Sequence, residues 1–312
     1  MNEPLISIIT PSYNRAEMIT DAIKSVLTQG DPHIEHIIVD GASTDGTLDI
    51  LARYPHLRVV SEPDKGMYDA LNKGLRLARG EVIGLLNTDD YLTPGCLVAV
   101  RAALAIHPEA LALVGSVIYE QDGKIVRTCL APDLDRFLTL AGRNETNFPN
   151  GWFLRRAIYE RIGEFDPAYR FTADNELMIR LTLAGIRPLR LDVPVYIFKI
   201  HADSFTLNPV DSRDRDRGQT LMMVYDELMR VAETHLPHRD IPLELQCSLR
   251  WCIARNGYRL AVTAAYHRHW NIALQAAKRS LRYQPLWPFF VLYYAGRRVM
   301  QYLFPAFFKP IK

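Results

Sequence analysis

A chain of 312 residues has room for one large domain with an appendage, or for two domains, and its 48% hydrophobic, 23% charged composition is that of an ordinary soluble globular protein. Four cysteines, Cys96, Cys129, Cys247 and Cys252, have neither the CxxC spacing of a zinc site nor the density of a disulfide scaffold, which points to a reducing, cytoplasmic setting. The net charge of +2 hides a division: no Asp or Glu follows Glu244, whereas eleven Lys and Arg do, leaving 26 basic against 35 acidic residues up to that point. The first part is therefore −9 and the tail +11.

Residues 5–10 (LISIIT) read as an apolar strand rather than a signal peptide, since no basic segment leads into a long apolar core, and PSYNR follows as a loop. Met18, Ile19, Ala22, Ile23, Val26 and Leu27 then share one face of a helix. Residues 34–40 (IEHIIVD) form a second strand that ends on Asp40 and runs into GASTDGT. Strand, helix, strand predicts a parallel sheet. A short helix over 48–54, a third strand over 57–61 and a helix over 67–78 lead to Gly80 and the apolar run 82–86, which stops at Asp89 and Asp90. Ligands of open α/β sheets bind beyond the carboxyl ends of the strands, so this pair stands where a diphosphate and its metal ion are held. Taken alone, it also reads as a polar turn.

Pro94 is expected in the first turn of a helix running to about His107, and residues 111–119 and 124–128, separated by QDG, form a hairpin. The polar segment 144–151 is expected to cap the site. GWFLRRAIYERIGEFD supplies a strand and a helix, after which Phe171-Thr172-Ala173-Asp174 leads into another helix. There Leu177, Leu181 and Ala184 share the inner face, Glu176 and Arg180 pair outside, and Asp174 lies in the first turn. A strand over 193–200 closes on His201, and from Arg213 the chain reads as helical. Pro209 and the RDRDR run put the boundary near 208–211, giving a catalytic domain over 1–208 and a basic helical region over 209–312.

An Asp closing the second strand also suits a dinucleotide-binding domain, but TPSYNR lacks the glycines that admit a pyrophosphate. No GxxxxGK[ST] occurs either, so a nucleotide has to be held by carboxylates and a cation.

The blocks ITPSYNR, IIVDGASTDGT, SEPDKGMYDALNKGLRLARGEVIGLLNTDD and FTADNELMIRL, in that order, resemble the family 2 glycosyltransferases with the GT-A fold, particularly those that build bacterial surface polysaccharides. The resemblance covers about the first two-thirds of the chain. It implies an α/β, Rossmann-like, mainly parallel sheet flanked by helices, with the C-terminal region as an all-α extension. It further implies an inverting, metal-dependent transfer of sugar from a nucleotide-sugar donor, with a UDP-sugar the expected one, to a glycan or lipid-linked acceptor. Pro11, Ser12, Tyr13 and Asp40 then hold the nucleoside, Asp89 and Lys65 serve the donor, and Asp90 with His201 binds Mg²⁺ or Mn²⁺. Asp174 matches the base that takes a proton from the acceptor hydroxyl. Family members commonly carry Glu before that base, here Ala173, and ARN where this chain has Ala70-Leu71-Asn72, which leaves phosphate contact to Lys65 or Lys73. Each assignment has a plainer counterpart: an Asx turn for Asp40, helix capping for Asp174, solvation for Lys65, packing for His201. Two rivals to the transferase are a nucleotidyltransferase, which needs a glycine-rich basic loop after the first strand, and a silent scaffold, which would not need paired carboxylates.

No nucleic-acid partner is expected, and a homo-oligomer is open. Ala273, Ala277, Ser280 and Pro285 are spaced like part of a tetratricopeptide unit, but a plain helical hairpin is the expectation. The closing segment PLWPFFVLYYAGRRVMQYLFPAFFKPIK has no apolar run of about 18 residues, so no spanning helix is expected. Its aromatics and basic residues suit an anionic membrane surface, consistent with peripheral attachment to the inner face of the plasma membrane beside a lipid-linked acceptor.

Overall fold

The computed structural model describes residues 4–131, 151–201, 215–238, 241–289 and 291–292. The chain divides into two compact units, Met1–Pro209 and Val210–Lys312.

The first unit opens with β1 (Ile6–Ser12), α1 (Ile19–Leu27), β2 (Ile34–Asp40), α2 (Thr47–Leu51), β3 (Leu57–Ser61), α3 (Met67–Leu77) and β4 (Val82–Leu85). There follow β5 (Tyr91–Leu92), α4 (Cys96–Ile106), β6 (Ala112–Gln121), β7 (Lys124–Cys129), β8 (Trp152–Arg155), α5 (Arg156–Ile162), α6 (Ala173–Leu183) and β9 (Leu189–Ile200). The strands form one sheet in the order β3-β2-β1-β4-β8-β6-β9-β5, with β7 paired to β6. From β3 to β4 every pairing is parallel, as βαβ crossovers require, and β9 also runs parallel to β6. β8 runs antiparallel between β4 and β6, so the sheet is mixed in its second half.

Helix and strand meet tightly over β1. Ile6, Ile8 and Ile9 are fully buried, and Gly74 of α3 lies so close to the sheet that a Cβ there would come within 2.3 Å of Ile9 Cγ2. The strand also runs further than expected, because Pro11 and Ser12 pair with Val39 and Asp40 rather than forming a loop. The ladder to β4 ends at Ile9 and Leu85, with Leu86 N–H donating to Ile9 O, so the proline's missing N–H faces the side where β4 has stopped.

Two expectations in this unit are corrected. Pro94 lies before α4 rather than in its first turn, because Gly95 (φ 75°) takes the left-handed conformation at the N-cap and the helix begins at Cys96. The Glu176–Arg180 pair faces inward: Glu176 is 5% exposed, and its carboxylate binds the Arg180 guanidinium at 2.7 Å. The same guanidinium donates to the carbonyls of Ile162, Gly163 and Glu164, where α5 ends. Its five donors satisfy orphan carbonyls that a solvent-facing arginine could not reach.

The second unit contains α7 (Arg215–His235), α8 (Leu243–Tyr266) and α9 (Trp270–Tyr283). Met229, Leu249, Ile253 and Ala264 are buried in its core. α8 and α9 approach closely where Gly257 faces Ser280, since a Cβ at 257 would lie 1.9 Å from the serine hydroxyl. Arg279 of α9 binds Glu233 of α7 through Nε at 3.0 Å and Nη2 at 2.8 Å, and also Asp226. Among the described residues no helix is long and apolar enough to cross a membrane. Most of the aromatic closing segment, residues 293–312, lies outside the described residues.

Candidate active site at the carboxyl edge of the sheet

β1, β2, β3 and β4 all end at one edge, and the loops that follow them carry most of the polar residues singled out from the sequence. Beyond β4, residues 87–90 form a turn in which Asp90 N–H donates to Asn87 O. Asp90 is 1% exposed and points inward. Its Oδ2 accepts from Asn87 Nδ2 at 3.0 Å and from the Tyr196 hydroxyl at 2.8 Å, and its Oδ1 accepts from Lys199 N–H at 2.9 Å. The Tyr196 hydroxyl in turn accepts from Asn87 N–H at 3.1 Å. Burial, reinforced by the neighbouring Asp89 charge, pushes the Asp90 carboxyl up to about 7 in spite of these donors.

Asp89 precedes it in the turn. Its Oδ2 is 3.1 Å from His201 Nε2, and both side chains are about a quarter exposed. The carboxylate beside the imidazole is thus that of Asp89, while Asp90, expected to bind the cation together with His201, faces Tyr196 and the Lys199 amide. The hydroxyl of Tyr196 together with the Lys199 amide captures the second of the two carboxylates. Three of the roughly four acceptor positions on Asp90 are thereby filled.

Asp40 closes β2 with no exposed surface. Its Oδ2 accepts from Ser43 N–H at 2.9 Å and Ser61 Oγ at 2.8 Å, and its Oδ1 accepts from Ser43 Oγ at 2.5 Å. It thus builds an Asx turn and ties the end of β3 to it. The loop is braced from β1 by Asn14, whose N–H donates to Ser43 Oγ and whose Oδ1 accepts from Thr44 N–H. Gly41 permits a close approach that the sequence alone did not signal, as a Cβ there would lie 2.6 Å from Asp64 Oδ2 and 3.2 Å from Tyr13 Cδ2. Tyr13 is 60% exposed at this edge. Ser12 is buried, and its Oγ has no hydrogen-bond partner among the described residues.

Of the two lysines, Lys73 is engaged locally, its ammonium 2.9 Å from Glu62 and 2.8 Å from the Pro63 carbonyl. Lys65 is exposed just before α3, its N–H donating to Asp69. Asp174 is the second residue of α6, half-buried, with Oδ1 accepting from Asn175 N–H at 2.8 Å. The segment leading to it is stapled to α3. Asn72 exchanges two hydrogen bonds with the Phe165 backbone, at 2.8 and 2.9 Å, and the Tyr68 hydroxyl donates to Phe171 O at 3.3 Å. Because α3 leaves the carboxyl end of β3, Tyr68 in its first turn brings the start of α6 to the same edge. Apart from Gly151, the capping loop expected over 144–151 lies outside the described residues.

Three residues that organise this site, Asn72, Tyr196 and Gly41, escaped the sequence reading. Tyr196 alone left a trace there, as a polar tip within the apolar run VYIF.

The family model "Glycosyl transferase family 2" matches residues 7–163. The chain is 46% identical over 93 residues to the putative teichuronic acid biosynthesis glycosyltransferase TuaG of Bacillus subtilis (strain 168), covering 28% of this chain and 37% of that protein. It is 31% identical over 225 residues to the uncharacterized glycosyltransferase EpsJ of the same organism, covering 66% of this chain and 64% of that one. The chain thus spans less than two thirds of either relative. A PGL/p-HBAD biosynthesis glycosyltransferase of Mycobacterium tuberculosis (strain ATCC 25618 / H37Rv) is 34% identical over 186 residues, 58% of this chain and 70% of that protein. Among solved structures, the mannosyltransferase PcManGT of Pyrobaculum calidifontis, in complex with GDP-Man and Mn²⁺, superposes with a TM-score of 0.57 at 20% identity over 97% of this chain and 88% of its own. S. aureus TarS in complex with UDP-GlcNAc gives 0.54 at 18% identity over 89% and 88%. These likenesses show a GT-A architecture. With its four-strand parallel core, the acidic turn beyond β4 and a family match across half its length, the chain belongs to glycosyl transferase family 2.

Proposed function

We propose that the chain is an inverting, divalent-cation-dependent glycosyltransferase that moves a sugar from a nucleotide sugar, in the first instance a UDP-sugar, to a glycan or lipid-linked oligosaccharide of a surface polysaccharide. The observation that carries this reading is the Asp89–His201 contact of 3.1 Å at the carboxyl edge. A carboxylate oxygen and an imidazole nitrogen, both partly open to solvent, suit Mn²⁺ or Mg²⁺. Among the described residues no group of three or more His, Cys, Asp or Glu converges, which fits a cation completed by donor phosphates and water rather than a closed protein cage. When bound, such a cation neutralises the charge that gathers on a departing nucleoside diphosphate.

Asp89 and His201 hold the cation in this reading. Asp90 acts as a positioning residue, locking the turn to β9 through Tyr196 and Lys199. Pro11, Ser12, Tyr13 and the loop shaped by Asp40 receive the nucleoside, and Lys65 supplies a positive charge to the phosphates. Asp174, in the first turn of α6, accepts the proton of the acceptor hydroxyl as that oxygen attacks the anomeric carbon from the face opposite the diphosphate. One displacement inverts that carbon.

Support for a nucleotide-sugar donor comes from solved proteins of the same fold, one with GDP-Man and Mn²⁺ and another with UDP-GlcNAc. The test is a transfer assay on a panel of UDP- and GDP-sugars with Asp174→Asn. The variant is expected to lose on the order of 10²- to 10⁴-fold in turnover while still binding the donor. Full turnover in the variant would remove Asp174 from the mechanism.

A further inference from the structure

α9 has one face turned into the second unit and one left to solvent. Ala276 and Ser280 are buried, and Arg279 is held by Glu233 and Asp226. On the opposite side, at helical spacing, Trp270, Leu274 and Leu281 are 66%, 56% and 41% exposed. Lys278 and Arg282 are exposed along one flank of this stripe, and Arg268 is exposed just before the helix. The apolar surface continues past the helix at Leu286, Phe289 and Leu292, each about two-thirds exposed.

An exposed tryptophan and leucines at i, i+4 and i+11 are a costly surface for a protein that stays in water. Two occupants suit such a stripe, a second copy of the chain and a lipid surface, and the charges separate them. Every formal charge after Glu244 is positive. A self-complementary contact through this face would set Lys278 and Arg282 against their own copies, and α9 itself carries no carboxylate to offset them. An anionic lipid surface turns the same charges into attraction, while the tryptophan and leucines enter the boundary between headgroups and acyl chains. We propose that the outer face of α9 is a membrane-docking surface for anionic lipid, with Trp270, Leu274 and Leu281 as the inserted stripe and Lys278 and Arg282 as its electrostatic flank. The inference does not depend on the sugar-transfer reading, but it would hold the enzyme where a lipid-linked acceptor resides.

The test is sedimentation of the full chain with vesicles of phosphatidylglycerol and phosphatidylcholine, and with vesicles of phosphatidylcholine alone. Intact protein is expected to bind the anionic vesicles and to be released by salt. At about fivefold in partition for each basic residue at the surface, Lys278→Gln with Arg282→Gln is expected to weaken binding about twenty-five-fold. Trp270→Ser with Leu274→Ser and Leu281→Ser is expected to weaken it at least as much, and all five positions are exposed, so melting temperature should hold. Partition of either variant equal to that of the intact chain would overturn the proposal. So would a dimer in sedimentation velocity that the serine variant dissociates without change in vesicle binding, which would assign the face to a second copy.

Discussion

Asp89 and Asp90 are joined by one peptide bond yet occupy opposite environments. Asp89 shares a quarter-exposed niche with His201, whereas Asp90 is sealed in and anchors the turn to β9. Asp89→Asn is therefore expected to raise the Mn²⁺ concentration needed for transfer by on the order of 10²-fold, with little change in stability. Tyr196→Phe removes one of the hydrogen bonds on Asp90 and is expected to cost about 1–3 kcal/mol of stability in urea unfolding, because it leaves a buried carboxylate oxygen with one donor fewer. Equal effects of the two substitutions on the Mn²⁺ requirement would deny the division of labour. A third residue sets a pH dependence. His36 is fully buried with Nε2 2.9 Å from Thr10 Oγ1, and burial, aided by the His56 charge, lowers its pKa from 6.5 to about 3. The unfolded chain then binds the extra proton first, so this contribution is complete above pH 6.5 and declines as the pH falls from 6.5 towards 3. Wild type is expected to lose about 2 kcal/mol more than His36→Gln between pH 7 and pH 5. Parallel pH curves for the two proteins would refute it.

At the scale of elements, the βαβ succession was legible because each strand is an apolar run of sheet length and each helix shows a periodic face. The residues stopping those strands, Asp40 and the Asp89–Asp90 pair, were legible for the same reason, since polarity resumes abruptly where the sheet ends. Orientation was not legible. Nothing in TDD tells which carboxylate turns inward, because the deciding partners, Tyr196 and the Lys199 amide, lie more than a hundred residues away. The inward Glu176–Arg180 pair escaped for a similar reason: an i,i+4 ion pair reads as solvent-facing until α5 presents carbonyls that need donors. Asn72 shows how far such long-range contacts reach, since it mimics a strand neighbour for Phe165 and fixes the segment that precedes Asp174. Asn72→Ala leaves a buried N–H and C=O unpaired and is expected to destabilise the fold by about 2–4 kcal/mol. Donor binding should survive while turnover falls, because in the proposed reading only Asp174, the acceptor-side base, is displaced. An unfolding midpoint unchanged from wild type would show that the staple carries no energy.

For the molecule as a whole, the parallel core and its carboxyl-edge loops form one compact unit and the three helices α7 to α9 another, and the charge is divided along the chain in nearly the same way. The acidic part holds the candidate catalytic carboxylates, where in the proposed reading a cation receives an anionic donor. The basic part carries the solvent-facing stripe of α9. The account stands or falls on the first of these, a nucleoside diphosphate held at the sheet edge through a cation on Asp89 and His201. The most direct measurement is calorimetric titration of UDP and GDP into the full chain, with and without Mn²⁺, alongside Asp89→Asn and His201→Ala. The account predicts that one nucleotide binds wild type when Mn²⁺ is present, and that EDTA or either substitution weakens that binding by on the order of tenfold or more. Binding of equal strength in all three proteins, or binding indifferent to Mn²⁺, would contradict it.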